Sequence, residues 1–304
     1  MNSLARKLIR GYRPLLTTCP GAPGKIEVVG RGGIKARVIA DSINFYTTTR
    51  LITLELEYHK FMHPEFLTHR DFSRNSASSR AIPVMTVLNN IESNMAMPIH
   101  WGKNKRGMQA DEETDAPVII DGREYSPQEA WKLAFRRMRP IIEAMAEAGY
   151  HKQVTNRLGE PFQMIKTVVS ATEWQNFFDL RRHPDAQPEI RELANVMHEA
   201  IATSRLTKVH TGWHLPYITD EIWESECGKN IEVAKRISAA CCAQVSYRKN
   251  DPTAQKALGI YDRLAAANPP HLSPFEHVAL AMPENKRYAN FRSWRQFRWD
   301  IENQ

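Results

Sequence analysis

No stretch of this chain approaches the roughly 18 consecutive apolar residues that a membrane-spanning helix needs, so no membrane partner is expected. Cysteine is scarce. Four thiols (Cys19, Cys227, Cys241, Cys242) in 304 residues make no disulfide scaffold, and without a CxxC pair they do not suggest structural zinc. A reducing cytoplasm is the expected location, which for a viral protein means the host cytoplasm. Neither GxGxxG nor GxxxxGK[ST] occurs, which argues against a Rossmann dinucleotide site and a P-loop. Tandem repeats and low-complexity linkers are also missing. His59 and His63, and His210 and His214, have i,i+4 spacing, but no H-E-x-x-H glutamate and no third ligand accompany them, so no metal site is expected.

What is present suits a folded protein: 42% hydrophobic and 25% charged residues supply a core and a solvated surface. The net charge of +7 is unevenly placed. No acid precedes Glu27, and Arg6, Lys7, Arg10, Arg13 and Lys25 contribute +5 of it. The remainder is close to neutral, so the basicity is a poor argument for nucleic-acid binding by the folded part. Residues 1–33 read as a basic extension that packs on a partner or frays, although a basic, acid-free segment with Leu4, Leu8, Ile9, Leu15 and Leu16 also suits an organellar transit peptide. Residues 34–304 read as a single domain.

Alternating, β-branched stretches predict strands at Lys35 to Phe45 and Leu51 to Tyr58. His63 to Arg70 suits a short helix, and Asp71 to Ser79 follows as a polar segment. Residues 101–124 read as a long surface loop. Ser126-Pro127-Gln128-Glu129 has the cap, the first-turn proline and the glutamate of a capping box, so a helix should run towards Gly149 with a kink or break at Pro140. Thr172 is placed to cap a second helix through Arg181. Pro188 opens a third, with Ile190, Leu193, Ala194, Met197 and Ile201 on one face. Further helices are expected near 229–243, 253–267 and from Asn290 onward. Strands early and helices late predict an α+β fold with a mixed or antiparallel sheet.

One segment stands out chemically. From His69 to Arg80 the chain packs three arginines, four serines, a histidine and an asparagine into twelve residues. Guanidinium forks and hydroxyls suit an anionic ligand rich in hydrogen-bond acceptors, such as a nucleotide; the plain alternative is a solvated polar loop. The order of these residues resembles the signature of the flavin-dependent thymidylate synthases, R-H-R-x-x-S-x-N-x-x-S-x-R. His69, Arg70, Ser73, Asn75, Ser78 and Arg80 match it at every spacing. Thr68 stands where the family usually has its first arginine, Ser76 where a glutamate is common, Ala81 where a tyrosine is common, and Glu65 where a glutamine is frequent.

Two further blocks share the resemblance. Asn176-Phe177-Phe178-Asp179-Leu180-Arg181, with Ala186 to Arg191 behind it, is similar to N-F-x-x-L-R-x-x-x-x-A-Q-x-E-I-R. His271 to His277 is similar to H-x-[ST]-P-F-E-H, and Ala243 to Tyr247 to A-R-V-S-[YF]. In the usual order these last two precede the arginine-rich signature. Here they follow it, so the chain looks circularly permuted or belongs to a longer, phage-like branch. Asn290 to Arg298 reads as a basic amphipathic helix, with a weaker likeness to the helix that normally leads into the signature.

The resemblance implies reductive methylation of dUMP at C5, with methylene-tetrahydrofolate as carbon donor, FAD as hydride source and NADPH to reload it. It implies Arg181 as the cation that polarises the uracil ring and His271 as a catalytic group near the flavin. It implies Ser78, Ser79, Arg80 and Arg157 around dUMP, and His69, Arg70, Ser73, Asn75, Asn176, Leu180, Ser246, Ser273 and Glu276 around FAD. A homotetramer with active sites at subunit interfaces follows from the same likeness. Cys241 and Cys242, beside Ala239, Ala240 and Ala243, read as small core residues, and Ser78, lacking an adjacent base, as a binding residue. The alternatives are a related enzyme that hydroxymethylates deoxyuridylate, a nucleic-acid-binding protein using the basic tail and the Arg/Ser segment, and a member of the family that binds without turnover.

Overall fold

The apolar-polar alternation read from the sequence becomes strand where it was strongest. The computed structural model describes residues 27–207, 209–246 and 250–303. Cys19, the basic residues up to Lys25, Tyr247 and the side chain of Ser246 lie outside what it describes. In chain order the first strands are β1 (Glu27–Val29), β2 (Lys35–Ile43), β3 (Arg50–His59), β4 (Ser73–Ser76), a hairpin of β5 (Val118–Ile120) and β6 (Arg123–Tyr125), and β7 (Met164–Ala171). Five of them form one antiparallel sheet in the order β1-β2-β3-β7-β4, which leaves β4 as an edge strand. The long loop expected over 101–124 contains the hairpin's first strand and a bridge between Gly102 and Glu113.

Helices of the first half are α1 (His63–Leu67), α2 (Val84–Ser93), α3 (Pro127–Glu147), α4 (Lys152–Leu158), α5 (Gln175–Arg181) and α6 (Pro188–Ala202). The two-residue period of β3 sends Leu54, Leu56 and Tyr58 to one face of the sheet. There they pack with Phe66 of α1, Phe177 and Phe178 of α5, and Ile190, Leu193, Ala194 and Met197 of α6. Gln187 caps α6 by accepting from the Ile190 amide, with Pro188 at the first turn. A smaller cluster of Val87, Leu88, Ile91, Phe135, Ile142 and Phe162 joins α2 to α3.

The second half covers the other face. It comprises β8 (Trp213–His214), α7 (Asp220–Ser225), α8 (Ile231–Ala243), α9 (Ala254–Ala265), a tight turn at Ser273–His277, β9 (Ala279–Ala281), β10 (Arg287–Tyr288), β11 (Phe291–Arg292), β12 (Trp294–Gln296) and α10 (Phe297–Glu302). A buried relay of polar groups ties it to the main sheet. Ser42 Oγ meets His214 Nδ1 (2.7 Å), His214 Nε2 meets Thr53 Oγ1 (2.8 Å), Thr53 meets Ser170 Oγ (2.6 Å), and Ser170 meets His277 Nδ1 (2.8 Å). The architecture is therefore α+β, one antiparallel sheet between two layers. Among the described residues no helix is long and apolar enough to cross a membrane.

Three local expectations need correction. α3 has its capping box at Ser126 and Glu129, but it runs through Pro140 without a break. Phe135 and Ile142 anchor it on both sides of the exposed proline, so packing outweighs the lost backbone bond. Thr172 does not cap α5, which starts three residues later; its hydroxyl accepts from the Arg292 amide (3.0 Å). Asn290 does not open a helix. Phe291 and Trp294 are buried beside Leu51, Ala279 and Ala281, the segment pairs as β11 and β12, and helix begins only at Phe297.

Candidate active site on the edge of the sheet

The arginine- and serine-rich segment crosses the sheet edge, and β4 divides it between the two faces. Its period of two sends Ser73 and Asn75 one way and Arg74 and Ser76 the other. Ser73 Oγ accepts from Asn290 Nδ2 (3.0 Å) and Gln296 Nε2 (2.8 Å). Asn75 donates to the Cys242 carbonyl (2.7 Å) and accepts from Ser273 Oγ (3.4 Å). Gln296 also donates to the Glu276 carbonyl (3.2 Å), and the Glu276 carboxylate holds Arg298 (2.7 Å). Two sets of bonds, one joining Ser73 to Glu276 through Gln296 and one joining Asn75 to Ser273, thus tie β4 to the C-terminal part of the chain.

On the other face Arg74 Nη1 donates to the carbonyls of Phe66 (3.1 Å), Leu67 (3.2 Å) and His69 (2.8 Å). A cation at the negative end of α1 fixes the turn that presents Thr68, His69 and Arg70. Ser76 Oγ meets Thr167 Oγ1 (2.9 Å), which meets the Tyr58 hydroxyl (3.0 Å), which meets His63 Nδ1 (2.7 Å).

Arg181, the last residue of α5, reaches back to this turn. Its Nε donates to His69 Nε2 (2.8 Å) and its Nη2 to Thr68 Oγ1 (3.1 Å). Arginine only donates, so His69 Nε2 must carry the lone pair and Nδ1 the proton. Burial, then the Arg181 and Arg74 charges, push the His69 imidazole down to about 4, so it is neutral near pH 7. Phe177 meets the ring edge-on at 4.8 Å and Phe72 stacks at 5.9 Å.

Beyond β4 the chain turns through Ser78, Ser79 and Arg80. Asn156 Nδ2 ties down the Ser79 (2.8 Å) and Ile82 (3.0 Å) carbonyls. Ser79 Oγ donates to Glu160 (3.5 Å), which also pairs with Lys60 (2.8 Å) and, at 3.9 Å, with Arg157. Arg70 and Arg80 are exposed and have no acidic partner among the described residues. The edge therefore carries surplus guanidinium charge, the donor chemistry that phosphate oxygens need.

Other expected site residues are not drawn in. Asn176, Leu180 and His271 are exposed, and among the described residues His271 enters the hydrogen bonding through its amide, which donates to the Leu264 carbonyl (3.0 Å). Cys227, Cys241 and Cys242 are buried thiols, and burial holds Cys241 up at about 12. The histidine pairs are engaged by protein: His59 with the Gly32 carbonyl (2.8 Å), His63 with Tyr58, His214 in the buried relay, and His210 stacked on Trp223 at 4.0 Å. Asn290, Gln296 and Arg298 were not expected near the site. Their only signal was polarity within an aromatic-rich tail.

Comparison with known proteins adds three findings. The family described as thymidylate synthase complementing protein (Thy1) matches residues 50–204. No curated protein matches the chain. Among solved structures, flavin-dependent thymidylate synthase ThyX from Helicobacter pylori, complexed with FAD and dUMP, is 18% identical, covers 50% of this chain and 67% of that one, and has a TM-score of 0.32. A UMP/dUMP methylase, PolB from Streptomyces cacaoi, bound with 5-Br dUMP, is 14% identical over 52% of this chain and 69% of that one, with a TM-score of 0.36.

Proposed function

This chain belongs to the thymidylate synthase complementing protein family, and from that premise we propose that it is a flavin-dependent thymidylate synthase, converting dUMP to dTMP. Bound FAD would supply the hydride, reloaded by NADPH, with methylene-tetrahydrofolate as the carbon source. The observation that carries the reading is Arg181, whose guanidinium is held by Thr68 and His69 beside Arg70, which has no acidic partner among the described residues.

The residues divide by task. Arg181 stabilises negative charge that builds on a pyrimidine carbonyl as C5 becomes nucleophilic. Ser78, Ser79 and Arg80 hold the dUMP phosphate through hydroxyl, amide and guanidinium donors, and Arg157 makes a further contact with the nucleotide. Ser73, Asn75, Ser273, Glu276 and Ser246 would hold FAD along β4 and the Ser273–His277 turn, together with His69, Arg70, Asn176 and Leu180. The donor set fits that group: Arg70 lacks an acid partner among the described residues, and Ser273 is exposed beside Asn75. His271 would stand near the flavin ring, in a homotetramer whose subunits would share each site. Residues 34–304 act as one catalytic domain in a cytoplasmic enzyme.

The test is anaerobic turnover of dUMP with methylene-tetrahydrofolate, NADPH and FAD, with the product identified by mass. A yellow protein that forms dTMP supports the proposal. A hydroxymethyl product assigns the related modification instead. A colourless protein that binds polynucleotide with a steep salt dependence refutes both.

A further inference from the structure

The division of tasks above leaves Thr68 unused, although it occupies the place where the signature it resembles carries an arginine. Its hydroxyl is fully engaged. It donates to the Glu65 carbonyl (2.7 Å), which turns its lone pairs toward the Arg181 Nη2 that they accept (3.1 Å). An arginine has no acceptor atom and would place a second cation there. His69 takes the adjacent Nε, and Phe177 and Phe72 fix the His69 ring. One edge of the guanidinium is thus held at two points, and Nη1 has no protein partner among the described residues.

We propose that Thr68 is a positioning residue for Arg181: with His69 it clamps the Nε–Nη2 edge, so that the Nη1 edge is presented to the substrate in a set orientation. An arginine side chain otherwise samples many rotamers, and ordering it before the substrate arrives removes that loss from the reacting step. The clamp also connects the cation to the backbone of α1 through the Glu65 carbonyl. The inference rests on the reading of Arg181 as the ring-polarising cation.

The experiment compares Thr68→Val, which keeps the shape and removes the hydroxyl, with Thr68→Ser, which keeps the hydroxyl, in the flavin-loaded enzyme. Loss of one charge-assisted hydrogen bond predicts a kcat about 10-fold lower for the valine variant, with KM for dUMP within about two-fold, and recovery by serine to within about two-fold of wild type. Unchanged kcat in Thr68→Val, or an equal loss in Thr68→Ser, overturns the proposal; Thr68→Ala replaces the valine variant if that one fails to fold. A second readout does not depend on turnover. Solvent exchange of the Arg181 Nε–H, followed by nitrogen-15 NMR in the full chain, should quicken by about ten-fold or more in Thr68→Val, and an unchanged rate overturns the clamp. If wild type does not convert dUMP while this exchange responds as expected, the enzymatic reading fails and the clamp stands.

Discussion

Acid should destabilise this protein before its carboxylates titrate, because its buried histidines are neutral. Burial holds His277 at about 3, burial and the neighbouring His277 hold His214 at about 3, and burial with Arg181 and Arg74 holds His69 at about 4. In the unfolded chain each takes up its proton near 6.5. These are depressed values, so the stabilisation is complete above about pH 6.5 and is lost as pH falls towards the folded values. Below about pH 6.5 each group approaches a loss of about 1.4 kcal/mol per pH unit, so that the three together lose about 4 kcal/mol between about pH 7.5 and 5.5. Set against a typical domain stability of about 5–15 kcal/mol, that is a large fraction. His59, His63 and His198 are also lowered by burial and act in the same direction. Urea unfolding followed by tryptophan fluorescence, at fixed protein concentration, should show proton uptake on unfolding that rises from near zero at about pH 7.5 to nearly three at about pH 5.5. His277→Asn, which keeps a polar atom for Ser170, should reduce that uptake by about one proton. Stability that stays flat between about pH 7.5 and 5.5, or an uptake unaffected by His277→Asn, would refute the argument.

Four further outcomes are expected. Arg181→Ala should lower dTMP formation by about a hundred-fold or more, measured as kcat under anaerobic turnover. Asn75→Ala unties β4 from both the Cys242 carbonyl and Ser273, and should weaken FAD binding by about ten-fold in a fluorescence titration. Ser126→Ala removes the capping box of α3 and should cost about 1 kcal/mol in urea unfolding. Cys241 and Cys242 should resist alkylation in the native protein, and Cys241→Ala should keep turnover, because a buried thiol held at about 12 supplies no thiolate.

Some of this was visible residue by residue. β2, β3, α3 and α6 were legible because their signals are local: alternation, a capping box, a proline at the first turn. β7 was missed because it lies between β3 and β4 and is buried on both faces, so Met164–Ala171 lacks the alternation that marks a half-exposed strand. β4 was missed for the opposite reason. Ser-Arg-Asn-Ser has no apolar face at all, and its partners on both sides are polar. Asn290 to Gln296 looked helical in isolation and is strand because Trp294 is buried against Leu51 and its indole donates to the Thr49 carbonyl (3.1 Å).

From the order of residues alone came the family likeness, the α+β class and the choice of Arg181, because motif spacing and short-range patterning are written along the chain. The folded molecule decided what those residues touch. It joined Thr68, His69 and Arg181 across more than a hundred residues, brought Ser273 to Asn75, and split one polar segment between two faces of a sheet edge. Such contacts depend on which strand lies next to which, and strand order is set by packing of the whole core rather than by any local stretch.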